Sequence, residues 1–283
     1  MTRRQDLERQ LETLNDLGSI LTSMKNLALV EMRKLAHLRA NHEHVVSTIT
    51  RAAHDFLAHH PELAPPRAAA PAVLLAVGSE RGFCGNFNEL IGEAAAAFTA
   101  GHPQAAVVPV GSKLISHLRA ESGAAPRLEG ASAAEEVPAV LQRTLTALQD
   151  MQPRGAGAGL NLWALHHDMD QGAVRLEEIT AIRPDTGQPA EFATPPVVNM
   201  DPARFLVELI EQHLFALLTR IFYSSLMSEN RFRLAHMENA TRRVETRAED
   251  MTRHRNILRQ EEVTQEIELI VLSAEEPEGE PRR

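Results

Sequence analysis

At 283 residues and 43% hydrophobic content, the chain can bury one substantial core and still carry an appendage or second domain. A net charge of −9 gives no overall attraction to nucleic acid, and a single cysteine, Cys84, excludes an intrachain disulfide and a cysteine-based zinc site. The apolar runs are too short to span a bilayer as helices, and the opening Met-Thr-Arg-Arg-Gln-Asp-Leu-Glu lacks a signal peptide's apolar centre, so a cytoplasmic location is expected.

The first segment, residues 1–60, reads as one long helix over about 5–58. Leu7, Leu14, Leu21, Ala28, Leu35 and Ile49 share a heptad position broken by His42, and Leu11, Leu17, Met24, Leu38 and Val45 fill the neighbouring stripe. The proline-rich stretch 61–71 cannot stay helical and reads as a linker. Within 72–183, strands are expected at Val73–Val77, 105–110, 160–166 and 174–182, with helices at 86–99, 113–120 and 133–151. Alternating strand and helix argues for an inserted three-layer, Rossmann-like α/β domain, its last two strands forming a hairpin around Asp170-Gln-Gly172. Residues 184–202 hold five prolines and form the return linker.

From 203 to 273 the chain contains neither glycine nor proline. Phe205, Leu209, Leu217 and Ile221 recur at helical spacing, with a gap at His213, and Met237, Val244, Met251 and Leu258 step by seven. Some seventy helical residues would reach roughly 100 Å, wider than a small domain. The economical arrangement is an antiparallel coiled coil of the two terminal helices, joined through the α/β domain, with an acidic tail at 274–283. Between Arg231 and Arg259 eight arginines face four acids, whereas 261–280 carries eight acids and no basic residue. Such patterning suits docking against patterned partner surfaces.

The candidate chemistry is thin. Gly78-Ser-Glu-Arg81-Gly82-Phe-Cys84-Gly85-Asn-Phe-Asn88 joins strand to helix, where exposed N–H groups attract phosphate. Its glycine spacing matches neither the dinucleotide fingerprint nor a P-loop, so Arg81, Gly82, Cys84 and Gly85 read as a structural turn. Cys84 with His166 or His167 as base would make a nucleophile, yet a lone cysteine in a glycine turn is ordinarily packed. The histidine pairs and Asp168 with Asp170 lack metal-ligand spacing.

Three separated runs together resemble the γ subunit of F-type ATP synthases, the central rotor shaft. They are Leu21-Thr-Ser-Met24-Lys25-Asn-Leu-Ala-Leu-Val-Glu-Met32-Arg33-Lys34, then Ser79-Glu-Arg81-Gly82-Phe-Cys84-Gly85-Asn-Phe-Asn88, and a C-terminal set. That last set is Ser228-Glu-Asn230, Met237-Glu-Asn239-Ala240-Thr241 and Arg259-Gln260-Glu-Glu-Val-Thr264-Gln265-Glu266-Ile267. The resemblance implies a non-catalytic shaft within a hexamer of α and β subunits, with an ε-type subunit and a membrane c-ring at its foot. On that reading it is peripheral to the cytoplasmic side of the bacterial inner membrane, and ATP, ADP and Mg2+ are held by the partners. Ion flow through the ring would turn the shaft and change nucleotide affinity at the β sites. It further implies that Met24, Lys25, Asn256, Arg259, Gln260 and Thr264 contact β. Departures include Glu31 where the family has lysine, Asn86 for a glycine, and the acidic tail; they suggest an alternative bacterial form from a second operon. The competing reading is a nucleotide-binding α/β enzyme with coiled-coil oligomerisation arms.

Overall fold

The structure, a computed structural model, describes residues 3–64, 71–118, 125–152, 160–169, 172–179 and 194–275. The hairpin tip at Asp170, most of both proline-rich linkers and the acidic tail beyond Glu275 lie outside the described residues. The elements run α1 (Arg3–His59), a 3-10 turn (Pro61–Leu63), β1 (Ala72–Val77), α2 (Phe87–Gly101), β2 (Ala106–Val110) and α3 (Ser112–Leu118). A second 3-10 turn (Ala134–Glu136), α4 (Val137–Asp150), β3 (Asn161–Asp168), β4 (Ala173–Glu178) and α5 (Pro202–Glu275) follow. The helix expected from residue 133 thus begins as a 3-10 turn, because Pro138 at the first turn of α4 cannot donate a backbone hydrogen bond.

The chain forms two compact units whose boundaries fall inside the two long helices: residues 1–26 with 235–283, and 27–234. The division therefore does not follow the helix ends.

In the larger unit the sheet order is β2-β1-β3-β4, with β1, β2 and β3 parallel and β4 antiparallel to β3. Alternation along β1 sorts its side chains into two layers. Leu74 and Ala76 pack with Leu165 against Ile91, Ala95 and Phe98 of α2 and Leu114 of α3. Val73, Leu75 and Val77 join Val108, Leu162 and Ala164 against α4 and against Leu35 of α1 and Leu218, Ile221 and Phe222 of α5. The sheet is thereby covered on both faces, which is why its strands read as continuous apolar runs.

Within this unit the helix partners fall as the residue numbers rise, which makes them antiparallel. Thr50 Oγ1 lies 3.1 Å from His213 Nε2, the His42 and Tyr223 rings are 5.1 Å apart, and those of Phe56 and Phe205 are 4.8 Å apart. The gap at His213 is therefore a buried residue with a hydrogen bond. From Ala216 to Asn230 every side chain of α5 except Met227 is buried, so this stretch has no solvent face.

The smaller unit, described over 3–26 and 235–275, is also antiparallel: Arg4 pairs with Glu262 at 3.2 Å, Gly18 sits against Val244, and Lys25 reaches Glu238 at 3.9 Å. One expected stripe is corrected. Leu17 and Val45 point outward, at 45% and 43% exposure, and the inward series from Leu11 runs instead through Gly18, Val46 and Ala53. A step of seven from Leu11 reaches those residues, whereas Leu17 and Val45 fall one position off it.

The ends of β1 and β2 meet at two glycines. Gly111 has φ +112, and a Cβ there would stand 2.8 Å from the carbonyl oxygens of Gly78 and Ser79. Gly111→Ala is expected to lower stability by roughly 3 kcal/mol, combining backbone strain with a clash that no flexible side chain can relieve. Urea unfolding read from the single tryptophan, Trp163 on β3, checks this.

Candidate functional site

Open parallel sheets bind ligands outside the carboxyl ends of their strands, at the point where strand order reverses, here between β1 and β3. The turn after β1 lies at that edge and is held in an unusual conformation, with Phe83 at φ 65 and Gly85 at φ 57. What occupies the edge is α5. The carboxylate of Glu229, 2% exposed, lies against this turn; burial raises its pKa, while Arg233 and the backbone N–H groups of Arg81 and Glu80 favour its charged form. Arg233 pairs with Glu229 one turn away and donates to Asn230 Oδ1 at 2.8 Å, to the Gly82 carbonyl at 3.4 Å and to Cys84 Sγ at 3.3 Å. Ser224 and Ser228 donate their hydroxyls to the His167 carbonyl at 3.5 and 3.4 Å.

A second internal carboxylate serves the neighbouring loops. Glu80 accepts from Ser112 N at 2.9 Å, Ser112 Oγ at 2.6 Å and Gly130 N at 2.7 Å. Burial works against its ionised form, but these donors and Arg143 win and hold the carboxyl below its usual range. Ser79 N donates to Asn88 Oδ1, and Asn88 Nδ2 to Ser79 Oγ. Donors at this edge, Ser79 N, Ser112 N and Gly130 N, are thus taken up by the chain's own Asn88 and Glu80 side chains.

Arg81 and Gly85 are exposed and Gly82 is half-buried, while Cys84 is 4% exposed. Burial and the nearby Glu229 push the Cys84 thiol up to about 12 against the pull of Arg233, so it is not a thiolate nucleophile near neutral pH. His167, the base it would need, is stacked on Phe87 at 4.0 Å and hydrogen-bonds the Phe87 carbonyl through Nε2 at 2.9 Å. Among the described residues no group of three His, Cys, Asp or Glu side chains could hold a metal ion.

A further polar cluster ties α5 to the sheet margin. Arg220 Nη2 donates to both oxygens of Glu177 on β4, at 2.8 and 2.7 Å, and Arg175 and His166 lie 3.8 and 3.6 Å from the same carboxylate. Burial would raise the Glu177 carboxyl, yet His166, Arg220 and Arg175 together bring it down to about 2. Glu31, the acid that stands where the resemblance has lysine, accepts the Ala134 N–H at 3.3 Å ahead of α4. Lys34 bridges Glu31 at 3.2 Å and Glu135 at 2.7 Å, so the acid is paired within the chain.

These groups make stability depend on pH in two windows. Burial, reinforced by the His166 charge and opposed by the Phe87 carbonyl, holds the His167 pKa below 6.5. The unfolded chain therefore takes up this proton first as pH falls, and the stability is present above 6.5 and lost below it. For Glu177 the stability is present above 4.5 and lost as pH falls towards about 2. Melting temperature is accordingly expected to fall first between pH 7 and 5 and again below 4.5. His167→Phe, which can keep the ring stack, should flatten part of the first decline.

The residues that the resemblance implied as contacts with β lie in the smaller unit, at two levels. Met24 is half-buried and Lys25 half-exposed beside Glu238. Asn256, Arg259, Gln260 and Thr264 are exposed on α5, near the pairing of Arg4 with Glu262. Twenty-one residues separate 238 from 259, about 30 Å along a helix, so the two groups form separate patches rather than one site. Thr264 donates its hydroxyl to the Gln260 carbonyl at 2.9 Å, and Arg255 touches Asn256 at 3.3 Å. Glu177, Arg220, Glu229 and Arg233 were not singled out from sequence as a site. The available signal was charged residues set in the most apolar stretch of α5, two of them four apart.

Terminal helices that pair antiparallel around an inserted, sheet-based α/β domain define the gamma-type central-stalk fold of rotary ATP synthases. A chain of the Euglena gracilis mitochondrial ATP synthase OSCP/F1/c-ring assembly, in rotational state 3, superposes with a TM-score of 0.59 at 12% identity, covering 99% of this chain and 98% of that one. A chain of the Tetrahymena thermophila mitochondrial ATP synthase central stalk and c-ring gives 0.56 at 16% identity, over 78% and 99%. The ATP synthase gamma chain of Bdellovibrio bacteriovorus is 21% identical over 296 residues, 99% of this chain and 100% of that protein. The family model described as ATP synthase matches residues 3–275, and the chain belongs to this family as a gamma-type subunit. No helix among the described residues is long and apolar enough to cross a membrane.

Proposed function

We propose that the chain is the rotor shaft that couples ion flow through a membrane c-ring to nucleotide affinity changes in a hexamer of α and β subunits. It performs no bond chemistry and binds no nucleotide or Mg2+, which stay on the partners. Its partners are α, β, an ε-type subunit and the c-ring, on the cytoplasmic side of a bacterial inner membrane. Met24 with Lys25 forms one contact level on β, and Asn256, Arg259, Gln260 and Thr264 form the other. The observation that carries this reading is that the family match spans both long helices and the α/β domain together, residues 3–275. The Glu229 carboxylate lying on the turn after β1 supports the absence of a nucleotide there.

Purification of tagged chain from its native membranes tests the reading. Recovery of α and β in threefold excess over the chain, with ATP hydrolysis, is the expected result. Recovery of the chain alone with bound nucleotide would overturn it in favour of an α/β enzyme with coiled-coil arms.

A further inference from the structure

Apolar packing is non-directional, so a sheath of leucine and valine specifies the turn of a helix about its axis less sharply than directional contacts do. Charge-paired hydrogen bonds have fixed lengths and angles and do not permit that freedom. In the larger unit α5 is buried all round from Ala216, and two polar clusters interrupt its apolar sheath. At one, Arg220 Nη2 donates to both carboxylate oxygens of Glu177 on β4. At the other, Arg233 pairs with Glu229 and holds the Gly82 carbonyl and the Cys84 sulfur. Thirteen residues separate Arg220 from Arg233, roughly 20 Å along the helix, so the grips fall at two well-separated levels. Buried ion pairs seldom add stability beyond what apolar side chains of the same volume supply, and their best-attested use is to fix register.

The geometry points to a torque-bearing role: the Arg220–Glu177 and Arg233–Glu229 clusters set the rotational and axial register of α5 in the α/β domain, so that force on the domain turns the helix without slip. Residues 220, 177, 229 and 233 are positioning residues. The inference rests on the rotor reading and deepens it by naming where within this chain torque crosses from domain to shaft.

The test uses the assembled complex in inverted membrane vesicles carrying the double variant Arg220→Met with Glu177→Leu. Apolar replacement removes both members of the pair, and Arg175, which also lies near Glu177, keeps Asp168 at 3.2 Å, so the fold should persist. ATP hydrolysis and ATP-driven uptake of protons and of sodium are measured in the same vesicles. Hydrolysis within about twofold of the natural complex, with a severalfold drop in ions moved per ATP, is the expected outcome. An unchanged ratio at equal assembly overturns the proposal. Natural chain that fails to assemble with α and β would sink the rotor reading instead, so the two failures are distinguishable.

The milder Arg220→Lys keeps the charge but replaces the planar guanidinium by a flexible, freely rotating ammonium, and serves if the double variant does not assemble. Spin labels at Glu93 on α2 and Glu211 on α5, both exposed, read register directly, and buried Cys84 does not take the label. A broadened distance distribution in the lysine variant is expected, and a distribution identical to that of the natural chain overturns the proposal.

Discussion

Glu229→Ala is expected to cost about 3–5 kcal/mol, the loss that follows when one member of a buried ion pair is removed. The alanine leaves the Arg233 guanidinium, 6% exposed, without its anion, and removes the carboxylate that the Glu80 and Arg81 N–H groups favour. Arg233 is buried, so water replaces little of what its guanidinium loses. Glu229→Gln retains an acceptor for the N–H groups and should lose less. Replacing Glu229 and Arg233 together with methionine should recover much of the loss, since it is the uncompensated charge that is costly. Urea unfolding followed by Trp163 fluorescence gives all three values. A loss below about 1 kcal/mol for Glu229→Ala would mean that Arg233 finds another anion, and would remove Glu229 from the centre of the cluster.

The second large effect lies at the other end of α5 and is of the opposite kind. Arg259 is exposed, so Arg259→Glu should leave the stability of the chain within about 0.5 kcal/mol of its natural value. In the assembled complex the same change is expected to reduce ATP turnover roughly tenfold, equivalent to ~1.4 kcal/mol in the barrier. The measurement is steady-state hydrolysis by complexes matched for subunit content. Turnover equal to that of the natural complex would remove Arg259 from the proposed contact with β. Taken as a pair, the two variants separate residues that hold the shaft in its domain from residues that present it to partners.

Local chemistry made much of this architecture legible before any coordinates. The absence of glycine and proline from 203 to 273 leaves no local reason for α5 to stop, and it runs from Pro202 to Glu275 as one helix. Pro61 ends α1 at His59 for the converse reason. Continuous apolar runs such as Val73-Leu-Leu-Ala-Val77 read as buried parallel strands because helices cover both faces of the sheet. The three family-like runs, read together, named the gamma-type family that the match over 3–275 shows.

What the tertiary structure alone decided is how the polar groups are spent. Arg220 meets Glu177 across 43 positions, Arg233 meets Cys84 across 149 and Gly82 across 151, and no periodic pattern encodes pairings at such separations. The stripe through Leu17 and Val45 failed because two apolar residues one position off the seam look the same in sequence as residues on it, and only packing against the partner helix separates them. The turn after β1 shows the difference most clearly. Its glycines mark a backbone rich in exposed N–H groups, a property of local conformation that any reader of the sequence can infer. Which charged group meets that turn is a long-range matter, and here it is the Glu229–Arg233 pair of α5, with Arg233 on the Gly82 carbonyl and the Cys84 sulfur.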